Sequence, residues 1–332
     1  MYKYILRRIF MMVPVILGVS LIIFTLMYIT PGDPARIILG DTATDEEVQQ
    51  LQEDLGLNRP YIVRYLDFLK KAILQGDLGT SYLTKRSVTS EIIERYPTTI
   101  ILAVASVLLA TMIGIPLGIV SAVKQYSFLD YASSTVALVG VSMPNFWQGM
   151  INILIFAVAL KWFPASGFYG PSYWVLPAVT IGTSAAASIM RTTRSSMLEV
   201  IRQDYIRTAR AKGQTERIII YRHALKNALI PIVTIIGIRL GANLGGAILT
   251  ESIFSIPGLG KLMVDSIKAR NYPVVQGGVL FIAVIFSLIN LLVDILYAYI
   301  DPRIKSQYQS KKKKKNIKSN TEIQKLKVGG IS

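Results

Sequence analysis

The stretch Asp204-Tyr205-Ile206-Arg207-Thr208-Ala209-Arg210-Ala211-Lys212-Gly213 is a charged, helix-forming island between long apolar runs of the chain. Gly213 is predicted to end this helix, and the amphipathic stretch that follows, Thr215 to Leu229 before Ile230-Pro231, is predicted to form a second helix. In a protein that crosses a membrane, a charged island on the cytoplasmic side is where a soluble motor can apply force. The pattern therefore predicts the segment through which a soluble motor protein acts on a membrane transporter.

The composition on both sides of this island is that of a membrane protein. The chain has 332 residues, of which 52% are hydrophobic and 17% charged, too apolar for an ordinary water-soluble enzyme. Its charge-free windows exceed the roughly 20 residues that a bilayer helix needs, and one further window is interrupted only by Arg239. The predicted spans lie near 9–29, 99–123, 132–160, 174–194, 228–250 and 277–300.

The distribution of basic residues predicts the orientation, because basic loops resist translocation. Segment 191–226 has nine basic and three acidic residues, and segment 301–332 has ten and two. The loop 31–98 instead has eight basic and eleven acidic residues, which predicts an external position. We therefore expect cytoplasmic amino and carboxyl termini in a multi-pass protein. The first apolar run lacks a cleavage site and is predicted to remain as an anchor.

The net charge of +16 lies mainly in loops that flank the membrane, so we expect attraction to anionic lipid rather than nucleic acid. The chain has no cysteine and one histidine, His223, which disfavours thiolate and histidine metal sites. We predict no metal and no cofactor bound by this chain.

The predicted organisation has four parts. The external loop is expected to contain short helices, with Thr44 capping one of them and Glu47 three residues on, and with helical spacing over 61–75. The parts are an N-terminal tail and first transmembrane helix (1–30), the extracellular loop (31–98), a five-helix core (99–303) that includes a cytoplasmic coupling segment (195–227), and a basic, disordered cytoplasmic tail (304–332).

Three residues are candidates for the translocation path. Pro144 should bend its helix, and Asn145 adds a polar group at membrane depth. A kink that serves packing alone is an equal alternative. Glu251 opens the stretch 251–260, which is either a gate or re-entrant segment or a plain loop.

Within the fifth span, Gly237, Gly241 and Gly245 recur at four-residue intervals and leave one helix face nearly bare. This spacing predicts close helix packing, either within the chain or at a subunit interface. Arg239 in the same span needs a partner or water, and Asp294 in the sixth span is one candidate.

Motifs for nucleotide chemistry are missing. No GxxxxGK[ST] phosphate loop and no HExxH sequence occurs in the chain. We therefore predict that the chain is not an enzyme and does not hydrolyse ATP itself.

The ordered motifs resemble those of the first permease subunit in the dipeptide, oligopeptide and nickel class of ABC importers. The resemblance covers residues 1–303. It rests on Thr30-Pro31-Gly32-Asp33-Pro34, Gly76-Asp77-Leu78-Gly79, Ser142-Met143-Pro144, Arg194-Ser195-Ser196-Met197, the island 204–213, the stretch 251–260 and Asp301-Pro302-Arg303.

The resemblance implies an all-α membrane protein with six transmembrane helices of the type I ABC importer permease fold and a cytoplasmic coupling helix. The general signature of that helix is Glu-Ala-Ala, three residues, then Gly. Aligned on Gly213, only Ala209 and Gly213 match it. We expect the coupling contacts to be made by Asp204, Arg207, Thr208, Ala209 and Gly213.

The implied function is that of a transmembrane permease for di- or oligopeptides or a related solute in an ATP-driven importer. The implied partners are a second homologous permease, two cytoplasmic ATPases that use ATP and Mg, and an extracellular solute-binding protein, in a prokaryotic plasma membrane. Three alternatives stay open: a nickel or metal-chelate importer of the same family, an ion-coupled secondary transporter, and a membrane scaffold or sensor.

Overall fold

The computed structural model describes residues 2–40 and 42–300, with side chains described for 5–40 and 42–295. The predicted tail 304–332 lies outside the described residues. The described chain is helical, and its one isolated β-bridge joins Thr80 and Ser87. The helices are α1 (Tyr2–Ile29), α2 (Pro34–Leu39), α3 (Asp45–Asp54), α4 (Tyr61–Gln75), α5 (Val88–Val123), α6 (Phe128–Ser142), α7 (Asn145–Asn152), α8 (Pro171–Ile201), α9 (Asp204–Ala211), α10 (Glu216–Ile218), α11 (Leu225–Leu244), α12 (Ile248–Ile253), α13 (Leu259–Lys268) and α14 (Tyr272–Ile300).

Five continuous helices in the described part of the chain are long and apolar enough to cross a membrane, and a bent pair makes a sixth span. The bent pair consists of α6 and a helix over Asn145–Ala159, in which α7 continues as a π-helical turn. The two halves meet at an angle of 101°. Pro144 explains the break, because it lacks an N–H and forces Met143 into an extended conformation.

The fifth span differs from its predicted limits of 228–250. It is one helix, Glu216–Leu244, in which α10 and α11 are joined by a π-helical turn over Ile219–Ala224. The amphipathic stretch 215–229, predicted to be a separate helix, is therefore the amino-terminal part of this span. The helix ends early because Gly245 and Gly246 follow, and Gly246 has a φ of +99° that favours glycine.

The segment 31–98, which the charge pattern predicts to be external, contains the short helices α2, α3 and α4. The capping box at Thr44 is present, with Thr44 N–H donating to Glu47 Oε2 at 2.9 Å and Glu47 N–H donating to Thr44 Oγ1 at 3.3 Å. Helix α4 lies against α1, where the ring of Tyr65 packs 5.4 Å from that of Phe24. The Tyr65 hydroxyl also lies 2.9 Å from Ser20 Oγ. These contacts hold α4 on α1.

Helices α5 and α8 form the most extensive helix pair of the described chain. Their backbones approach closely at two glycines of α5. A Cβ on Gly114 would lie 2.7 Å from the Ala186 carbonyl oxygen, and one on Gly118 would lie 2.7 Å from the Met190 carbonyl oxygen. This pair is the central scaffold on which α6, α11 and α9 are positioned.

Candidate functional site

Helix α9 is anchored to the membrane helices by one side chain. Ile206 is fully buried among Ile119 of α5, Met197 of α8 and Ile219 of the π-helical turn that follows α10. Ala209 is half-buried against the same cluster. An eight-residue helix is marginal alone in water, so this apolar anchor is what holds α9 in place.

The opposite face of α9 is open to solvent. Asp204, Arg207 and Thr208 are exposed, and the Arg207 Nη1 lies 3.7 Å from Asp204 Oδ1 in an ion pair whose side chains are 74% and 97% exposed. Such an exposed pair contributes little to stability. The face therefore offers charged and hydroxyl groups that are available to a partner.

Gly213 makes the turn that ends α9. Its φ is +75°, in the left-handed region that favours glycine, and its N–H donates to the Arg210 carbonyl oxygen at 2.9 Å. Across the turn, Arg210 pairs with Glu216 through Nε to Oε1 at 2.7 Å and Nη2 to Oε2 at 3.2 Å. The turn and this two-bond pair fix the direction in which α10 leaves α9. The five residues predicted to couple thus lie on one short, anchored element.

A buried ion pair that the sequence analysis missed joins three helices near this element. Arg194 of α8 donates to Asp130 of α6 through Nε to Oδ1 at 2.7 Å and Nη2 to Oδ2 at 2.8 Å. Ser121 of α5 donates to Asp130 as well, and the Tyr126 N–H donates to Asp130 Oδ2 at 3.0 Å. We refer to Ser121, Asp130 and Arg194 as the three-helix clamp. The sequence contained one indication of this ion pair: Asp130 stands next to an apolar run, three residues after Ser127, which caps α6.

Pro144 and Asn145 lie at the break between α6 and α7, and both side chains are exposed in this chain. They adjoin an open groove of about 570 Å³. Its lining is mainly apolar: Leu138, Val139, Ser142, Met143, Pro144, Phe146 and Trp147. Their assignment to the translocation path stays a prediction.

Glu251 lies elsewhere, fully buried in α12. Its Oε1 accepts from Thr99 of α5 at 3.0 Å, and its Oε2 accepts from the Lys261 N–H at 2.9 Å. Thr99 Oγ1 in turn accepts from the Leu259 N–H at 2.8 Å. A Cβ on Gly258 would lie 2.5 Å from the Glu251 carboxylate, so glycine is required for this close approach. In this chain the carboxylate holds the stretch 251–260 on α5, and its role in the path stays a prediction.

The three glycines of the fifth span face α14. A Cβ on Gly237 would collide with Val293, and one on Gly245 would lie 3.1 Å from Ile282 Cγ2. A Cβ on Gly241 would be in ordinary contact at 3.4 Å from Ile289 and Phe286. The face therefore packs within the chain.

The two charged residues of the later spans have separate partners. Asp294 pairs with Arg8 of α1, with Oδ2 and Nη1 3.0 Å apart. Arg239 donates instead to the hydroxyl of Ser188 on α8. In the described chain, no group of three or more His, Cys, Asp or Glu residues could hold a metal ion.

Two family models match the chain. The model described as binding-protein-dependent transport system inner membrane component matches residues 114–306. The model for the N-terminal part of such membrane components matches residues 1–103. Together these matches include α1, the external segment, the clamp and α9.

Curated relatives match over nearly their whole length. The dipeptide transport system permease protein DppB of Alkalihalophilus pseudofirmus is 45% identical over 333 residues, covering 92% of this chain and 100% of the relative. The glutathione transport system permease protein GsiC of Pectobacterium atrosepticum is 44% identical, covering 92% and 99%. The oligopeptide transport system permease protein AppB of Bacillus subtilis is 42% identical, covering 92% and 99%.

Solved structures share the fold. A chain from an inward-facing conformation of the MetNI methionine ABC transporter (CY5 SeMet soak crystal form) matches with a TM-score of 0.56 at 20% identity, covering 64% of this chain and 96% of that one. The CY5 native crystal form gives a TM-score of 0.53 at 19% identity, covering 63% and 96%. By the family models and the relatives, the chain belongs to the family of inner membrane components of binding-protein-dependent transport systems.

Proposed function

We propose that the chain is the transmembrane permease of an ATP-driven importer for di- or oligopeptides, and that α9 is its coupling helix. The observation that carries the coupling proposal is the geometry of α9. Ile206 fixes the helix to α5, α8 and the fifth span, while Asp204, Arg207 and Thr208 remain exposed. A push on the exposed face is therefore transmitted to three membrane helices as rigid-body motion.

The substrate proposal is supported by the names of relatives with 42–45% identity, which are a dipeptide, an oligopeptide and a glutathione permease. All three names refer to peptides. We therefore favour a peptide over a nickel or metal chelate.

The proposed assembly contains this chain, a second homologous permease, two cytoplasmic ATPases and an extracellular solute-binding protein. Both termini and α9 face the cytoplasm, in keeping with the basic residues of 191–226. ATP and Mg act in the ATPases. This chain supplies half of the path and the lever, and α9 moves when the ATPases close.

Mass spectrometry tests the assembly. The complex is purified gently from its native membrane through a tag on this chain. We expect a second six-span permease and ATPase subunits in the purified complex. A stable chain that purifies without ATPases contradicts the proposal and favours a secondary transporter.

Cross-linking tests the position of α9. The chain has no cysteine, so Thr208→Cys introduces its single reactive thiol. A short bismaleimide should link this thiol to an ATPase. A matched cysteine at Thr89, which lies in the first turn of α5 and within the segment 31–98 proposed to be external, should give no such link. Equal yields at the two positions would remove α9 from the interface.

A further inference from the structure

A polar groove of about 480 Å³ lies between α8 and the fifth span, apart from α9 and from the Pro144 groove. Four of its lining residues belong to α8 and two to α11. They are Ser188, Arg191, Thr192, Ser195, Ile235 and Arg239. The lining includes two arginines and no acidic residue.

Two side chains on one face of α11, Arg239 at the groove and Asn243 one turn further on, each have a buried donor without a described acceptor. Arg239 Nη2 donates to Ser188, but Arg239 Nε is buried with no hydrogen-bond partner among the described residues. Asn243 lies four residues on, and therefore on the same helix face, and its Nδ2 is also buried without a described partner. Two unsatisfied donors on one face indicate that an acceptor belongs there.

Arg191 adds a second positive charge. It lines the same groove, is exposed, and forms no ion pair with a described residue. Two like charges therefore face one space.

Two other arginines of the described spans each have a carboxylate partner. Arg194 is paired with Asp130, and Arg8 is paired with Asp294. Arg191 and Arg239 depart from this pattern although Arg239 lies within a span, where a charge without a counter-charge is costly. An arginine that is kept within a span despite this free-energy cost is therefore a candidate functional residue.

We propose that Arg191 and Arg239 form an oxyanion-binding site that takes the carboxylate of the transported solute. The guanidinium fork matches a carboxylate with two parallel hydrogen bonds, and Ser188, Thr192 and Ser195 add hydroxyl donors. The phosphate of an anionic lipid has the same chemistry and is the second source. Assignment of the carboxylate to a peptide rests on the proposed function.

The site lies between the two helices that α9 connects. Helix α9 follows α8 in the chain and precedes the fifth span, so it connects the two walls of the groove. A displacement of α9 is therefore passed to both walls of the groove, and the site moves together with α9.

Charged thiol reagents test the site in the purified full complex. Ser195→Cys places a thiol of nearly unchanged size in the groove, and this chain has no other cysteine. We compare its labelling rate by anionic sulfonatoethyl methanethiosulfonate with that by the cationic trimethylammonium reagent, read from the mass of this chain. The anionic-to-cationic ratio should exceed that of free cysteine and fall about tenfold in Arg239→Gln and in Arg191→Gln, as expected for removal of one nearby charge.

The matched control is Ser142→Cys, which lies in the groove beside Pro144 that has no charged lining residue. Its ratio should be the same with and without Arg239→Gln. Arg239→Lys should largely retain the high ratio at Ser195→Cys. A ratio at Ser195→Cys that does not change in either glutamine variant overturns the proposal, as when an acid of another subunit already neutralises the arginines.

Two further measurements distinguish the sources of the oxyanion. Dialanine should slow anionic labelling of Ser195→Cys and dialanine amide should not, which assigns the site to a solute carboxylate. Slower labelling in phosphatidylglycerol nanodiscs than in phosphatidylcholine nanodiscs assigns it to lipid phosphate. Protection by neither overturns the proposal. Because the same complexes are assayed for ATP-driven dialanine uptake, failure of the site is distinguished from failure of the proposed function.

Discussion

A substitution at Gly213 tests the proposal that α9 couples the permease to the ATPases. Its φ of +75° costs a β-branched residue roughly 1–2 kcal/mol, while nothing lies within 4 Å of a Cβ placed there. Gly213→Val should therefore distort the turn without a clash. We expect ATP-driven uptake to fall several-fold while the amount of chain in the membrane is unchanged, measured by uptake and by immunoblot of washed membranes.

Two variants serve as controls for Gly213→Val. Gly213→Asn should keep most uptake, because asparagine tolerates the left-handed conformation. Gly76 ends α4 with a φ of +63° and equally open space, so Gly76→Val imposes the same strain on the segment 31–98, away from α9. Coupling is contradicted if Gly76→Val and Gly213→Val lower uptake and membrane level alike.

Glu251 yields a prediction about stability. Glu251→Gln replaces one acceptor oxygen with an amide nitrogen that cannot accept from Thr99 or from the Lys261 N–H. An unsatisfied buried donor costs roughly 1–3 kcal/mol, so the melting temperature of the purified complex should fall. Glu199→Gln, on the exposed surface of α8, should leave it unchanged. If the unsubstituted complex, Glu251→Gln and Glu199→Gln melt at the same temperature, the contacts of Glu251 do not contribute to stability.

These residues also show what the sequence could predict at this scale. The turn at Gly213 followed from local chemistry, a glycine after a run of helix formers. The surroundings of Glu251 did not, because Thr99 is 152 positions away and no local pattern encodes that contact. An acid beside a Pro-Gly turn is consistent with a gate as well as with a buried anchor.

At the scale of elements, the three-helix clamp links α5, α6 and α8. Asp130 is 4% exposed and its partner Arg194 is 28% exposed. Asp130→Asn leaves the partly buried Arg194 without its counter-charge, so it should cost roughly 1–3 kcal/mol of stability. The melting temperature of the complex measures this loss.

The matched control for the clamp is Asp67→Asn, which breaks the exposed pair between Arg59 Nη1 and Asp67 Oδ2 at 3.3 Å. An exposed pair contributes less than about 1 kcal/mol. The account of the clamp is wrong if Asp130→Asn and Asp67→Asn shift the melting temperature equally.

Glycine substitutions test how the helices pack. Gly118→Ala would press a Cβ to 2.7 Å from the Met190 carbonyl oxygen, and backbone cannot move aside as a side-chain end can. We expect a loss of about 1–3 kcal/mol, seen as a lower melting temperature. Gly241→Ala makes an ordinary contact at 3.4 Å, so it should be neutral or slightly stabilising. A larger loss of stability in Gly241→Ala than in Gly118→Ala would contradict the helix packing of this chain.

The elements themselves were largely predictable. Hydropathy located all six spans, and the chemistry of Thr44 and Glu47 located the start of α3. The errors lie where tertiary structure decides. The fifth span begins at Glu216 because the amphipathic stretch continues into it, and it ends at Leu244 because the chain turns at Gly246 to pass close to Gly260.

At the scale of the whole molecule, the clamp and the anchor of α9 lie on the same set of helices. Ile206 packs against α5 and α8, and Arg194 of α8 is bound to Asp130 of α6. A displacement of α9 is thus passed to α5, α6 and α8 together, and through Gly213 to the fifth span. Under the proposed function these helices move as a unit relative to the second permease, which is what alternating access requires.

ATP-driven uptake of a labelled dipeptide into proteoliposomes tests this account most directly. The proteoliposomes contain the complex that purifies with this chain, together with its binding protein. The account predicts uptake that needs ATP and the ATPase subunits and that Gly213→Val lowers several-fold. Equal uptake by the permeases alone, driven by an ion gradient without ATP, would contradict it.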